Sequence, residues 1–221
     1  MRKIAVTTAV ILLLCLCFSG CAGTADDSPS DLHTEIESVS DISYVADFQG
    51  VKVLSSCNAD GVAAVVIHNT ADRTLQYIKF SATFSDGTVY TYSASTVPPG
   101  AGCTVYEDSS SPYKNLESGI LWRSENVAFF TDEPSANSDM LEYTGSDGII
   151  TVKNISDTDI TDNIVIYYKD YDGTQFSSGV TYRVTVSGGI KSGEVAQVQA
   201  QHYSPDISLI MFSQFVGAEV S

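Results

Sequence analysis

One stretch of this chain occurs twice, and that repetition limits the fold more than any other feature. Residues Thr151 to Gly173 read Thr-Val-Lys-Asn-Ile-Ser-Asp-Thr-Asp-Ile-Thr-Asp-Asn-Ile-Val-Ile-Tyr-Tyr-Lys-Asp-Tyr-Asp-Gly, and a diverged copy precedes them. Val65 to Asn69 matches Ile150 to Asn154, a polar turn follows in both, and Ile78, Phe80 and Ala82 match Ile164, Ile166 and Tyr168 before each copy reaches Asp-Gly. A single inserted residue reconciles the copies over this length. Such self-similarity predicts two units of one architecture.

Within each copy the apolar spacing is that of strands. Ile78, Phe80, Ala82 and Phe84 fall on one face and Tyr77, Lys79, Ser81 and Thr83 on the other, the period of two of a half-buried strand. Val62 to Ile67 is a nearly continuous apolar run suited to a buried strand, and Asp86-Gly87 predicts a tight hairpin, because its left-handed turn tolerates Asp and favours Gly. Val89 to Val97, Cys103 to Tyr106, Gly119 to Arg123 and Val127 to Phe130 complete the first set; Thr174 to Val186, Glu194 to Ala200 and Ile207 to Phe212 close the second. Gly100 matches Gly193, which places about seven extra residues in the second copy, around Gly179 to Ser192. The body is rich in Val, Ile, Thr, Tyr and Phe, and no apolar series at helical spacing runs beyond two turns. The expected class is therefore all-β, with a first β-sandwich over 42–132, a polar linker over 133–139 and a second β-sandwich over 140–221. Each copy carries its own full set of apolar strands and is expected to close its own core.

The order apolar strand, Asn, polar turn, alternating strand and aromatic-Asp-Gly turn resembles the small Ig-like modules of the FxLYD kind found in lipoproteins of Gram-positive bacteria. Val152-Lys-Asn-Ile-Ser and Tyr167-Tyr-Lys-Asp-Tyr-Asp-Gly carry the resemblance best, with Phe84-Ser-Asp-Gly in the corresponding place of the first copy. The resemblance implies tandem Ig-like or fibronectin-III-like sandwiches outside the cytoplasm, without catalytic residues.

The start of the chain points to the same address. Met1-Arg2-Lys3, an apolar run from Ile4 to Phe18 and then Ser19-Gly20-Cys21 follow the charged, apolar and small-residue order of an export signal. The run is shorter than the roughly 20 apolar residues of a spanning helix. Phe18-Ser19-Gly20-Cys21 resembles the lipobox of bacterial lipoproteins, departing from it at Phe18, where an aliphatic residue is usual. That resemblance implies loss of the signal 1–20, a diacylglyceryl thioether on Cys21 and anchorage to the outer face of the bacterial cell membrane; two acyl chains at about 0.8 kcal/mol per buried methylene hold stably. Residues 21–41 read as a flexible tether: 22–31 are small, polar and acidic, while 32–41 carry a few apolar positions and are either more tether or a first strand.

Charge excludes one class of partner. With 27 acidic against 11 basic residues and a net charge of −16, the chain has no Lys/Arg cluster to receive a nucleic acid. Ser111-Pro-Tyr-Lys114, Ser124-Glu-Asn126 and Lys191-Ser-Gly193 imitate the signatures of penicillin-interacting serine enzymes, but the first must open a helix in a mixed α/β domain. No catalytic residue is assigned and no enzyme is expected. Asp170-Tyr-Asp-Gly173 lacks the closing Glu of a calcium loop and reads as a turn. Asp157, Asp159 and Asp162 crowd one turn and are weak metal candidates; His33, His68 and His202 are isolated, so no metal site and no cofactor are expected. Tyr90, Tyr92, Tyr167 and Tyr171 are the candidate ligand-facing aromatics, against the ordinary reading of strand tyrosines. Cys57 and Cys103 are the only cysteines after Cys21; a disulfide and two buried free thiols both remain open to them. The function these readings favour is a lipid-anchored, non-catalytic binding or structural module of the cell envelope. Its partners would be the membrane, through Cys21, and an envelope protein or glycan, with a carbohydrate-binding or solute-recognition surface lipoprotein as the alternative.

Overall fold

A computed structural model describes residues 44–59, 61–115 and 119–217; Cys21, His33 and the tether lie outside these. The first copy holds β1 (Ala46–Phe48), β2 (Val51–Ala59), β3 (Val62–Asn69), β4 (Leu75–Thr83), β5 (Val89–Val97), β6 (Gly102–Tyr106) and β7 (Leu121–Phe129). The second holds β8 (Leu141–Ser146), β9 (Ile149–Asn154), β10 (Asn163–Asp170), β11 (Tyr182–Val186), β12 (Val195–Gln199) and β13 (Ser208–Val216). The class is all-β, with no helix among the described residues.

Each copy forms two antiparallel sheets. They are β1-β2-β3-β6 and β5-β4-β7 in the first copy, β8-β9-β12 and β11-β10-β13 in the second. With β1 set aside, the two arrangements agree strand for strand. Alternation drives the packing: Val65 and Ile67 of β3 and Ile78, Phe80 and Ala82 of β4 are buried in the first core, while Ile150, Val152, Ile164, Ile166 and Tyr168 fill the second.

The repeat is kept down to single hydrogen bonds. Asn69 ends β3 fully buried, its Nδ2 donating to the carbonyls of Arg73 (2.9 Å) and Val97 (2.8 Å) and its Oδ1 accepting from the Ala71 N–H. Asn154 ends β9 in the same way, donating to Thr158 O (2.8 Å) and Ile190 O (3.0 Å) and accepting from the Ser156 N–H. A buried asparagine satisfied at both ends of its amide ties its own turn to a distant carbonyl, at the end of β5 in the first copy and beyond the end of β11 in the second.

Three details differ from the sequence reading. A short strand, β1, precedes β2 through the Gln49-Gly50 turn. The two runs Gly119 to Arg123 and Val127 to Phe130 belong to one strand, β7, which follows β4 past a register shift at Lys79/Phe80. The residues added in the second copy fall earlier than Gly179 to Ser192: five residues separate β4 from β5, whereas eleven, 171–181, separate β10 from β11. Accordingly Thr174 to Val186 is a strand only from Tyr182 onward.

Both copies fall within one compact unit, and the added segment 171–181 is what fastens them. Asp172 accepts the N–H groups of Thr174 (2.8 Å) and Gln175 (2.9 Å), forming a local turn that aims Phe176 at the first copy. Phe176 lies parallel to Cys103 at the free edge of β6, with Phe176 N–H donating to Gly102 O (3.0 Å) and Thr104 N–H to Phe176 O (2.9 Å). Its ring is buried in the first core, not the second. Gly179 then runs along β5, accepting the Ser95 N–H at 2.9 Å; a Cβ at this glycine would collide with Ser93 O, so only glycine permits so close an approach. The segment is a strap that covers one edge of each sheet of the first sandwich.

Candidate functional site: the junction cleft

Beneath the strap lies Lys169 of β10, with none of its surface exposed. Its Nζ donates to Ser95 O at 2.7 Å and stands 5.4 Å from the centre of the Phe176 ring. Cys103 is beside it, its thiol donating to Ser178 O at 3.1 Å. Burial pushes the lysine pKa below its ordinary value, partly opposed by the neighbouring Cys103; burial likewise raises the Cys103 thiol, partly opposed by Lys169. Both shifts favour the uncharged forms, which keeps the Cys103 thiol protonated and not a reactive thiolate, beside an amine closed off from solvent.

A pH dependence follows from the sign of the lysine shift. With the folded value below the unfolded one of about 10.5, the unfolded chain binds the proton more tightly. The cost to stability is greatest below the depressed value, shrinks as the pH rises and is gone above the unfolded value. Lys169→Met keeps the packing, and Ser95 O retains the Thr181 hydroxyl at 3.2 Å. The variant is expected to be more stable than the parent by about 1–2 kcal/mol at neutral pH, with the gain vanishing near pH 11. Urea unfolding of both proteins at pH 6, 8 and 10.5 tests this; an equal difference at all three would refute it.

Next to this seam a cleft opens between the sandwiches as two adjoining cavities of about 400 and about 300 Å³. Gln76, Phe130, Phe212 and Gln214 line both; Asp132 and the linker's Glu133 wall the first, and Ser95, Thr96, Tyr167 and Thr181 wall the second. The Tyr167 ring stacks on Phe212 at 4.2 Å between centres and 9° between planes, and Phe130 meets Phe212 edge-on at 5.4 Å. The Tyr167 hydroxyl donates to Gln214 Oε1 at 3.2 Å. No lysine or arginine lines either cavity. Thr96 has a φ of 51°, a left-handed backbone that a β-branched residue rarely adopts. The linker is held on both sides: Glu133 accepts the Thr74 N–H at 3.3 Å and its hydroxyl proton, while Asn137 Nδ2 donates to Ser213 O at 3.0 Å.

The four tyrosines singled out from the sequence separate. Tyr167 is in the cleft. Tyr90 and Tyr92 are buried, because the face of β5 that carries them with Ala94 has the larger apolar surface and turns inward; Tyr92 stacks on Phe80 at 5.3 Å and the Tyr90 hydroxyl donates to Pro112 O at 2.7 Å. Tyr171 belongs to the strap, its ring 5.5 Å from Phe176. Phe130, Gln76 and Gln214 carry no sequence signal of their own and meet only because the two copies dock.

Cys57 and Cys103 are free thiols. Cys57 lies opposite Ala64 and Cys103 opposite Ile67, on the two strands that flank β3. Flanking strands are about 10 Å apart and an offset of three residues turns the side chains to opposite faces, beyond the reach of about 7 Å between bridged Cα atoms. Asp157, Asp159 and Asp162 do not converge: among the described residues no three metal-ligating side chains group together, and Asp159 accepts the Ser192 N–H at 2.9 Å. Comparison with protein-family models, with curated proteins and with solved structures yields no match to this chain.

Proposed function

We propose that this protein is a non-catalytic binding module held to the outer face of a bacterial cell membrane by lipid on Cys21, with the junction cleft as its ligand seat. The cleft is the observation that carries this reading, since it brings a stacked aromatic pair and two carboxamides into a recess of the size small ligands occupy. A neutral glycan suits it as ligand. Aromatic faces receive the C–H face of a sugar ring, carboxamides and hydroxyls exchange hydrogen bonds with its hydroxyls, and no fixed cation is present to select an anion. The Ig-like character of the two sandwiches is part of the same proposal, supported by the paired sheet orders.

The test has two arms on the full chain. Cys21→Ala is expected to stop incorporation of labelled palmitate, and continued labelling would refute the anchor. In calorimetry with chitotetraose as the glycan probe, Tyr167→Ala is expected to weaken binding at least about tenfold through loss of one stacked ring. Binding unchanged by Tyr167→Ala and Gln214→Ala would remove the cleft from the proposal.

A further inference from the structure

The second sandwich lacks a strand that the first one has. Thr70 N–H donates to Gly50 O at 2.7 Å and Ile155 N–H to Met140 O at 2.9 Å. Val51 lies opposite Asn69, and Leu141 opposite Asn154. Met140 therefore stands in the place of Gly50 and Leu141 in that of Val51, which leaves Ser138 in the place of Phe48. In the first copy β1 covers the outer edge of β2, and Phe48, 9 % exposed, sets its ring 5.4 Å from Phe80. In the second, β8 is an outer strand with no strand beyond it among the described residues, only its first N–H, that of Leu141, being taken by Asn137 O at 2.8 Å. A groove of about 540 Å³ runs there, lined by Ser138, Leu141, Glu142, Tyr143, Ile155 and Ile210, with Ile155 46 % exposed.

We propose that the open edge of β8 and this groove form an acceptor for an extended strand of a partner protein, which adds to the sheet where β1 adds in the first copy. Added strands bind through main-chain hydrogen bonds and are selected by side-chain pockets. The filled counterpart specifies the side chains. A large apolar residue takes the place of Phe48 and enters the groove. In the first copy the preceding residue, Asp47, lies opposite Lys52; Glu142 stands where Lys52 does, so the incoming residue at that point is basic. The residues just before β8 do not supply this strand, because they are drawn to β13 by Ser213 N–H on Ser135 O (2.9 Å) and by Asn137. Nor does β8, Leu-Glu-Tyr-Thr-Gly-Ser, carry the Lys or Pro that commonly guards an open edge.

The test titrates the isotope-labelled full chain with two capped hexapeptides. One is Tyr-Val-Ala-Asp-Phe-Gln, the sequence of residues 44–49; the other has Lys in place of its Asp. The Lys peptide is expected to shift the amide signals of 141–146 and Ile155 and to bind roughly fivefold tighter than the Asp peptide, the range of a cross-strand charge pair. Glu142→Lys, at an exposed position, is expected to reverse that preference. Ile155→Asp should weaken binding by about tenfold, and N-methylation of alternate peptide amides should abolish it. No shift at millimolar peptide, shifts located elsewhere, or a preference indifferent to Glu142→Lys would overturn the proposal. Tighter binding of the Asp peptide would also overturn it, assigning the edge to β1 of a second copy.

Discussion

Replacing Phe176 with alanine is expected to destabilise the first sandwich by about 3–5 kcal/mol, the cost of removing a buried phenylalanine, although the residue belongs to the second copy. The ring sits in the first core, and its backbone pairs with Gly102 and Thr104 at the edge of β6. Trp122, the only tryptophan, packs against that core 6.2 Å from Phe80 and reports on it alone. Its fluorescence transition in denaturant should move to markedly lower concentration in Phe176→Ala. A Trp122 transition that stays in place while far-ultraviolet dichroism reports loss of the second sandwich would show that the strap contributes nothing to the first core. The cleft follows from the same contacts, because Ser95 and Thr96 on one wall and Tyr167 and Thr181 on the other are brought together where the strap lies.

The second large effect concerns the paired asparagines. Asn69→Ala and Asn154→Ala each remove the two bonds donated by the amide and those accepted by its oxygen; Val97 O loses its amide partner in the core, whereas Ile190 O keeps the Ile160 N–H at 3.0 Å. Asn69→Ala is expected to cost about 3 kcal/mol, combining the lost bonds with one unsatisfied acceptor. Asn154→Ala leaves its carbonyl satisfied by the Ile160 N–H and is expected to cost less, about 2 kcal/mol. Thermal unfolding of the single variants measures them, and a loss below about 1 kcal/mol in Asn69→Ala would mean that the turn relaxes to satisfy Val97 O by another route.

The chemistry of strands was open to reading because it is local. Ile78, Phe80 and Ala82 alternate with Tyr77, Lys79 and Ser81, and that period alone decides which face turns inward. Asn69 and Asn154 are visible as matched positions, but not as the amides that bind a carbonyl 28 or 36 residues away. The binding residues were less legible. Tyr90, Tyr92, Tyr167 and Tyr171 are alike in sequence, each in or beside an alternating strand, and their separation into core, cleft and strap depends on which face of β5 or β10 meets a partner. Lys169 stands in sequence between tyrosines and aspartates, in Tyr167-Tyr-Lys-Asp-Tyr-Asp-Gly, and nothing adjacent in the chain foretells an amine buried against the backbone of Ser95.

By itself the sequence determined that this protein is all-β and that its body is built twice, because alternation and duplication are written in the order of the residues. Tertiary structure alone decided how the copies join. The extra residues of the second copy leave their own sandwich and deliver Phe176 to the core of the first, since an unpaired edge at β6 offers main-chain partners and a cavity that an aromatic ring fills. It also decided that β1 closes one edge while the matching edge of β8 stays open: strand pairing depends on where the preceding chain comes from, and the residues before β8 are held against β13.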